Sequence, residues 1–217
     1  NLHVLIAPKI SLRYKDRDAS LEPVASYLKE FVQAKKGNYF IYFPSYTYLE
    51  SILPHLDFGD AEVQVQTKSM SHDERTIFLE AFQPSPDHTT VGLLTLGGVF
   101  GEGVDLVDDR LIGVAIVGVG LPQIGLDNDS IRDYYDKKEN NGFDYAYRFP
   151  GMNKVTQAVG RLIRTPTDRG SALLIDDRYT QREYRDVFGR LWPNARIVLS
   201  PKEVRSSLLS FYKEKQK

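Results

Sequence analysis

The chain has 217 residues, 41% of them hydrophobic, with 28 Lys and Arg against 29 Asp and Glu and no cysteine. At roughly 100–200 residues per domain this is one large or two small domains, and about 70% of the unfolded surface can be buried without a metal or disulfide staple. The absence of cysteine excludes a disulfide framework, a thiolate zinc site and a Cys-ligated cluster within these residues.

In chain order, short apolar runs suited to strands are 2-LHVLI-6, 39-YFIYF-43, 62-EVQVQ-66, 91-VGLLTL-96, 111-LIGVAIVG-118, 172-ALLID-176 and 196-RIVL-199. Most are continuously apolar, as expected of parallel strands covered on both faces. Amphipathic stretches lie between them over 21–35, 45–55, 71–82, 128–138, 153–164, 180–190 and 202–215. The alternation predicts an α/β fold with a doubly wound, mostly parallel sheet and helices on both faces. One domain over 1–217 is expected, with a helical or irregular insertion at about 119–151, opened by 120-GLP-122 and containing 140-NNGFDYAY-147. The longest apolar run, 111-LIGVAIVGVGL-121, is too short and too glycine-rich to span a bilayer. No signal-peptide pattern is seen, so a soluble, cytoplasmic protein without a membrane partner is expected. A first residue of Asn1 rather than Met suggests a piece of a longer polypeptide.

Charge is unevenly spread. Residues 1–153 hold 14 basic and 22 acidic side chains, whereas residues 154–217 hold 14 and 7. A basic C-terminal third suits a polyanion, and it equally suits a solvated helix surface.

Three stretches carry candidate chemistry. In 153-NKVTQAVGRLIRTP-166 a helix would bring Gln157, Arg161 and Arg164 to one face at i, i+4 and i+7. Pro166 would end that helix, and Gly160 inside it costs about 1 kcal/mol relative to Ala, which suggests a close backbone approach. Two arginines on an otherwise apolar helix make a planar fork for phosphate oxygens, or else an ordinary surface. In 92-GLLTLGGVFGEGVDL-106 an apolar strand runs into Gly97, Gly98, Gly101 and Gly103, with Glu102 and Asp105 among them. Such a loop lets backbone amides approach a ligand, although a merely flexible loop has the same composition. No Gly-Lys-Ser/Thr follows, and the spacing is not that of the dinucleotide fingerprint. In 39-YFIYFPSYTYLESI-52, Ser45 is a natural cap for a helix starting near Tyr46. Tyr42, Phe43, Tyr46 and Tyr48 around it suit stacked bases or, equally, a packed core. The four histidines lack metal-ligand spacing and no metal site is expected; 176-DDR-178 offers acid/base chemistry or plain turn residues.

In this order the three stretches resemble the second motor domain of superfamily 2 helicases of the XPD/DinG type. The segment 42-YFPSYTYLES-51 is similar to motif IV, 95-TLGGVFGEGVDL-106 to motif V and 157-QAVGRLIR-164 to motif VI. The stretch 170-GSALLIDDRY-179 resembles the segment after motif VI, and 10-ISLRYKDRDAS-20 the approach from the first motor domain. The resemblance implies a RecA-like fold in an ATP-dependent DNA helicase. Arg161 and Arg164 would face the γ-phosphate, with Arg164 the arginine finger. Gln157, Glu102, Gly103 and Asp105 would order the nucleotide. Ser45, Tyr46, Thr95 and Gly97 would touch single-stranded DNA. ATP and Mg²⁺ would be held mainly by the first motor domain of the same polypeptide, because the lysine loop and acidic box of the family have no counterpart in this chain. Two other classes remain: a free-standing nucleotide- or phosphate-binding α/β enzyme, and a non-catalytic nucleic-acid interaction module.

Overall fold

The computed structural model describes residues 1–100 and 110–213. Seven strands form one sheet: β1 (Leu2–Ala7), β2 (Asn38–Phe43), β3 (Glu62–Val65), β4 (Thr90–Thr95), β5 (Gly113–Val117), β6 (Gly170–Ile175) and β7 (Arg196–Ile197). Their spatial order is β3-β4-β2-β5-β6-β1-β7. Every pairing is parallel, including β2 with β4 in the register Phe43↔Thr95 and β3 with β4 in the register Val65↔Leu93.

Side-chain alternation along the central strands builds two cores, one on each face. Leu5, Ile41, Phe43, Ala115, Val117, Leu173 and Ile175 point to one face, against α1 (Arg17–Val32), α2 (Tyr46–Ile52) and α7 (Pro201–Lys213). Val4, Ile6, Phe40, Tyr42, Val114, Ile116 and Leu174 point to the other. There they meet α3 (His72–Glu80), α5 (Phe149–Gly160) and α6 (Arg182–Phe188). The two outermost strands are shorter than their apolar patterns suggest. They carry exposed Glu62 and Arg196, charges that discourage edge-to-edge pairing. The 119–151 stretch is largely helical. It holds α4 (Leu126–Glu139), no residue of which is buried, and a wide helical turn, Asp144–Arg148, that runs straight into α5. Tyr147 ties it together by donating to Asp129 Oδ1 at 2.8 Å, and the Tyr135 and Tyr145 rings stack with centroids 4.1 Å apart.

At the end of β6 the chain closes a buried ionic clasp. Asp176 is fully buried and takes Arg178 in a fork, Nε to Oδ1 and Nη2 to Oδ2, each at 2.7 Å. Burial pushes the Asp176 carboxyl upward in pKa, and Arg178 opposes that. Asp177 pairs with Arg13, and its amide donates to Ile10 O at 2.8 Å, so the 10–13 segment is pinned to β6. Next to the clasp, the buried Tyr179 hydroxyl donates to Gly118 O at 2.7 Å. These carboxylates are therefore committed to holding the fold and are not free for acid/base chemistry. Asp176→Ala should cost about 3–5 kcal/mol in chemical denaturation, because it strands a largely buried guanidinium. Replacing Asp176 and Arg178 together by leucines should cost far less, since no uncompensated charge is then left.

Candidate functional site

In a parallel sheet of this kind the loops at the carboxyl ends of the strands gather at one edge, the usual place for ligands. The order β3-β4-β2 sets three of those loops side by side: Gln66–Lys68 after β3, Leu96–Val99 after β4, and Pro44–Tyr46 after β2. Ser45 caps α2 as its residue type predicts, its Oγ accepting from Tyr48 N–H at 3.2 Å. Tyr46 is half-buried, with Lys68 Nζ 5.9 Å from its ring centroid. Tyr42, Phe43 and Tyr48, by contrast, are buried to 3% exposure or less and belong to the core. The sheet needs those rings for packing, which leaves Tyr46 as the one aromatic of the four with a surface to offer.

Thr95 ends β4 with its polar groups already used. Its amide donates to Gln66 Oε1 at 2.9 Å, its hydroxyl to the same oxygen at 3.3 Å, and its carbonyl accepts from Gly98 N–H at 3.0 Å. Both donors of Thr95, a residue expected from the resemblance to touch the single strand, are thus engaged within the protein. Gly97 follows at φ +78°, a left-handed conformation that glycine adopts freely. A Cβ there would lie 3.1 Å from Lys154 Nζ, so the glycine also lets the lysine stem lie against the loop.

α5 faces this loop across a pocket of about 500 Å³ lined by Tyr42, Leu96–Val99, Lys154, Gln157 and Ala158. Lys154, Gln157, Ala158 and Arg161 are spaced at i, i+3, i+4 and i+7, so they share one face. The polar stripe is thus one turn earlier than expected. Arg164 is not part of it, because the helix ends at Gly160 and Arg161 is its C-cap. Arg161 and Leu162 N–H turn back to Ala158 O and Val159 O, tightening the last turn. Then Asp168 Oδ2 accepts from Arg164 N–H at 2.7 Å and Thr165 N–H at 2.8 Å, while the Thr165 hydroxyl donates to Oδ1 at 2.5 Å. Those amides would otherwise seek carbonyls one turn back, so the Asp168 side chain competes the helix away before Pro166 is reached. Arg164 is presented from a pinned turn. Nor does Gly160 serve a close approach to other elements among the described residues: a Cβ there would meet none of them within 4 Å.

Lys154 is the one charged side chain among the pocket's described lining residues. Burial pushes the Tyr42 phenol up to about 12, and the nearby Arg161 charge opposes this. Glu102, Gly103 and Asp105 lie outside the described residues. Gln66, Lys154 and Asp168 were not singled out from sequence. Lys154 stands at i−3 and i−7 from Gln157 and Arg161, a spacing that signals it; Asp168 follows Thr-Pro-Thr, a turn composition that does the same. Among the described residues no three His, Asp or Glu side chains gather as metal ligands, and no helix is long and apolar enough to cross a membrane.

The helicase C-terminal domain family matches residues 28–195. The chain is 26% identical over 191 residues to the ATP-dependent DNA helicase chl-1 of Caenorhabditis elegans, covering 80% of this chain and 22% of that protein. It is 28% identical over 173 residues to the general transcription and DNA repair factor IIH helicase subunit XPD of Schizosaccharomyces pombe, covering 73% and 22%. The chain therefore spans about a fifth of the length of these curated relatives. The solved structure "XPD_APO" superposes with a TM-score of 0.71 at 20% identity, covering 92% of this chain and 40% of that one, and so shares the RecA-like fold. With more than half of its length matched, the chain belongs to the helicase C-terminal domain family, of the kind found in XPD, DinG and CHL1 helicases.

Proposed function

We propose that residues 1–217 form a single motor domain, the second of an ATP-dependent DNA helicase or translocase. Its role is to supply arginines to a nucleotide held mainly, with Mg²⁺, by the first motor domain of the same polypeptide. The observation that carries this reading is the α5 face of Lys154 and Gln157 set against the Gly97–Gly98 loop, with Arg161 capping that helix and Arg164 pinned just beyond it. Phosphoryl transfer asks for charge stabilisation and positioning more than covalent chemistry, and guanidinium groups on a rigid support meet that demand. Arg161 and Arg164 reach the γ-phosphate across the inter-domain cleft, Arg164 as the finger, and Gln157 orders the nucleotide. Glu102, Gly103 and Asp105 contribute to the same nucleotide from the loop that follows.

On the neighbouring loops, Ser45, Tyr46 and Gly97 form the single-stranded DNA path. The Ser45 hydroxyl and loop amides touch phosphates without reading sequence, and the exposed part of the Tyr46 ring offers a stacking surface. Thr95 serves by anchoring the loop. Because strand path and nucleotide face meet at Gly97 and Lys154, closing the cleft on ATP also moves the DNA grip, and hydrolysis releases it.

The 217-residue chain alone should show no ATP turnover above background, since it lacks the lysine loop and acidic box; turnover that survives Arg161→Ala would overturn the reading. In the polypeptide carrying both motor domains, Arg164→Ala should lower ATP hydrolysis by about 10³–10⁵-fold, or about 4–7 kcal/mol of barrier. Melting temperature and DNA affinity, measured on the same preparation, should stay near wild type. Arg164→Lys should recover little, because a point charge cannot reproduce the planar fork.

The Asp168 turn adds a pH dependence. The Thr165 hydroxyl, then the Arg164 and Thr165 amides, hold the Asp168 carboxyl below the ordinary carboxylate value. Its contribution is full above the unfolded carboxylate pKa of about 3.9 and is lost as pH falls through the lower folded value. Amide-exchange protection of Arg164 and Thr165, corrected for intrinsic rates, should therefore collapse in acid before that of β6. Asp168→Ala should abolish it at every pH.

A further inference from the structure

Among the described residues, Gln66 is a polar side chain that ties together all three loops of the proposed strand-facing edge. It follows directly after β3, where its amide extends the ladder to Leu93 O at 2.9 Å. The residue is only 2% exposed, so its side-chain amide is costly to leave unpaired. Its side chain bonds to the residues that lead into one neighbouring loop and lie within the other. Its Oε1 accepts from the Thr95 amide and hydroxyl, and its Nε2 donates to the Tyr46 hydroxyl at 2.6 Å. Tyr46 in turn donates to Thr67 O at 3.2 Å, which closes the circuit back onto the segment that carries Gln66. The relay also explains a glycine. A Cβ on Gly98 would stand 2.6 Å from Thr95 Oγ1 and 2.9 Å from Gln66 Nε2, so the loop can turn here only if residue 98 has no side chain.

We infer that Gln66 is a positioning residue for single-stranded DNA: it fixes the loop after β4 against the loop after β2, so that both grip one strand in a single register. The inference rests on the proposed strand path through Ser45, Tyr46 and Gly97. Gln66 touches no phosphate itself. It acts through Thr95, whose amide it satisfies, and Tyr46, whose ring it orients. A side-chain amide suits the task because it offers an acceptor to one loop and a donor to the other at the same moment. A strand that must contact both loops gains affinity when their spacing is set before it arrives.

The test measures binding of a fluorescein-labelled oligodeoxythymidine to the 217-residue chain at low salt, with melting temperature and Thr95 amide exchange followed in parallel. Gln66→Leu should weaken binding about tenfold, the effect of roughly one buried hydrogen bond left unmade. It should also speed Thr95 exchange while the chain stays folded. Gly98→Ala should produce the same pair of changes from the other side of the relay. The double variant should be little worse than either single one, because both break the same unit. Gln66→Glu retains acceptors for the Thr95 amide and the Tyr46 hydroxyl, so Thr95 exchange should remain slow. If Gln66→Leu melts too low to assay, Tyr46→Phe, which deletes only the hydroxyl that Gln66 holds, carries the same test. The relay falls, and the strand path stands, if Ser45→Ala weakens binding while the Gln66 and Gly98 variants bind like wild type. Wild-type binding by all of them, Ser45→Ala included, removes the strand path and the relay with it.

Discussion

A parallel sheet covered on both faces leaves no place along its central strands for polar chemistry. Leu5, Ile41, Phe43 and Leu173 fill one face and Ile6, Phe40, Ile116 and Leu174 the other, all at 5% exposure or less. The backbone groups in between are spent on the ladders. Everything a ligand could use is therefore pushed to the loops, and the strand order decides which loops meet. Because β4 lies between β3 and β2, the residues following these strands become neighbours although 20 or more positions separate them in sequence. The sheet order thus brings the loops of the candidate site together.

The same constraint explains what could be read in the sequence. The five inner strands were legible because double-sided burial demands continuous hydrophobicity; the exposed edge strands β3 and β7 form as well, over shorter spans. The cap at Ser45 was legible because a single residue type satisfies a helix N-terminus locally. What sequence spacing missed is side-chain competition for backbone donors. The face containing Gln157, Arg161 and Arg164 presumed a helix running to Pro166. Asp168 reaches back for the Arg164 and Thr165 amides, and the helix stops at Gly160. Gln66 was hidden for a related reason. A glutamine at the exposed-looking end of an edge strand reads as surface, and only the neighbouring Thr95 and Tyr46 make it a buried hub.

Ending the helix early alters what the two arginines can do. On one continuous helix, Arg161 and Arg164 would move as a rigid pair. With Arg161 at the cap and Arg164 on a turn fixed by Asp168, their spacing is set by two separate supports. One is the apolar packing of Val155, Ala158 and Val159 against the sheet, and the other is a carboxylate that titrates. Lys154, one turn before Gln157, extends the polar face at its other end, beside the glycine loop.

Lys154 is also where the two halves of the proposed site touch. Its stem lies along Gly97, on the loop assigned to the strand, and its backbone belongs to the helix that carries Gln157 and Arg161. A side chain in van der Waals contact with one loop and covalently part of the other element transmits displacement between them without a hinge or a separate signal. The glycine favours this contact, since a Cβ at position 97 would crowd the lysine stem at 3.1 Å and would strain a backbone held at φ +78°. In the function proposed above, nucleotide state and strand grip are coupled through this packed contact. The Gln66 relay holds one side of it through Thr95, and the core beneath α5 holds the other.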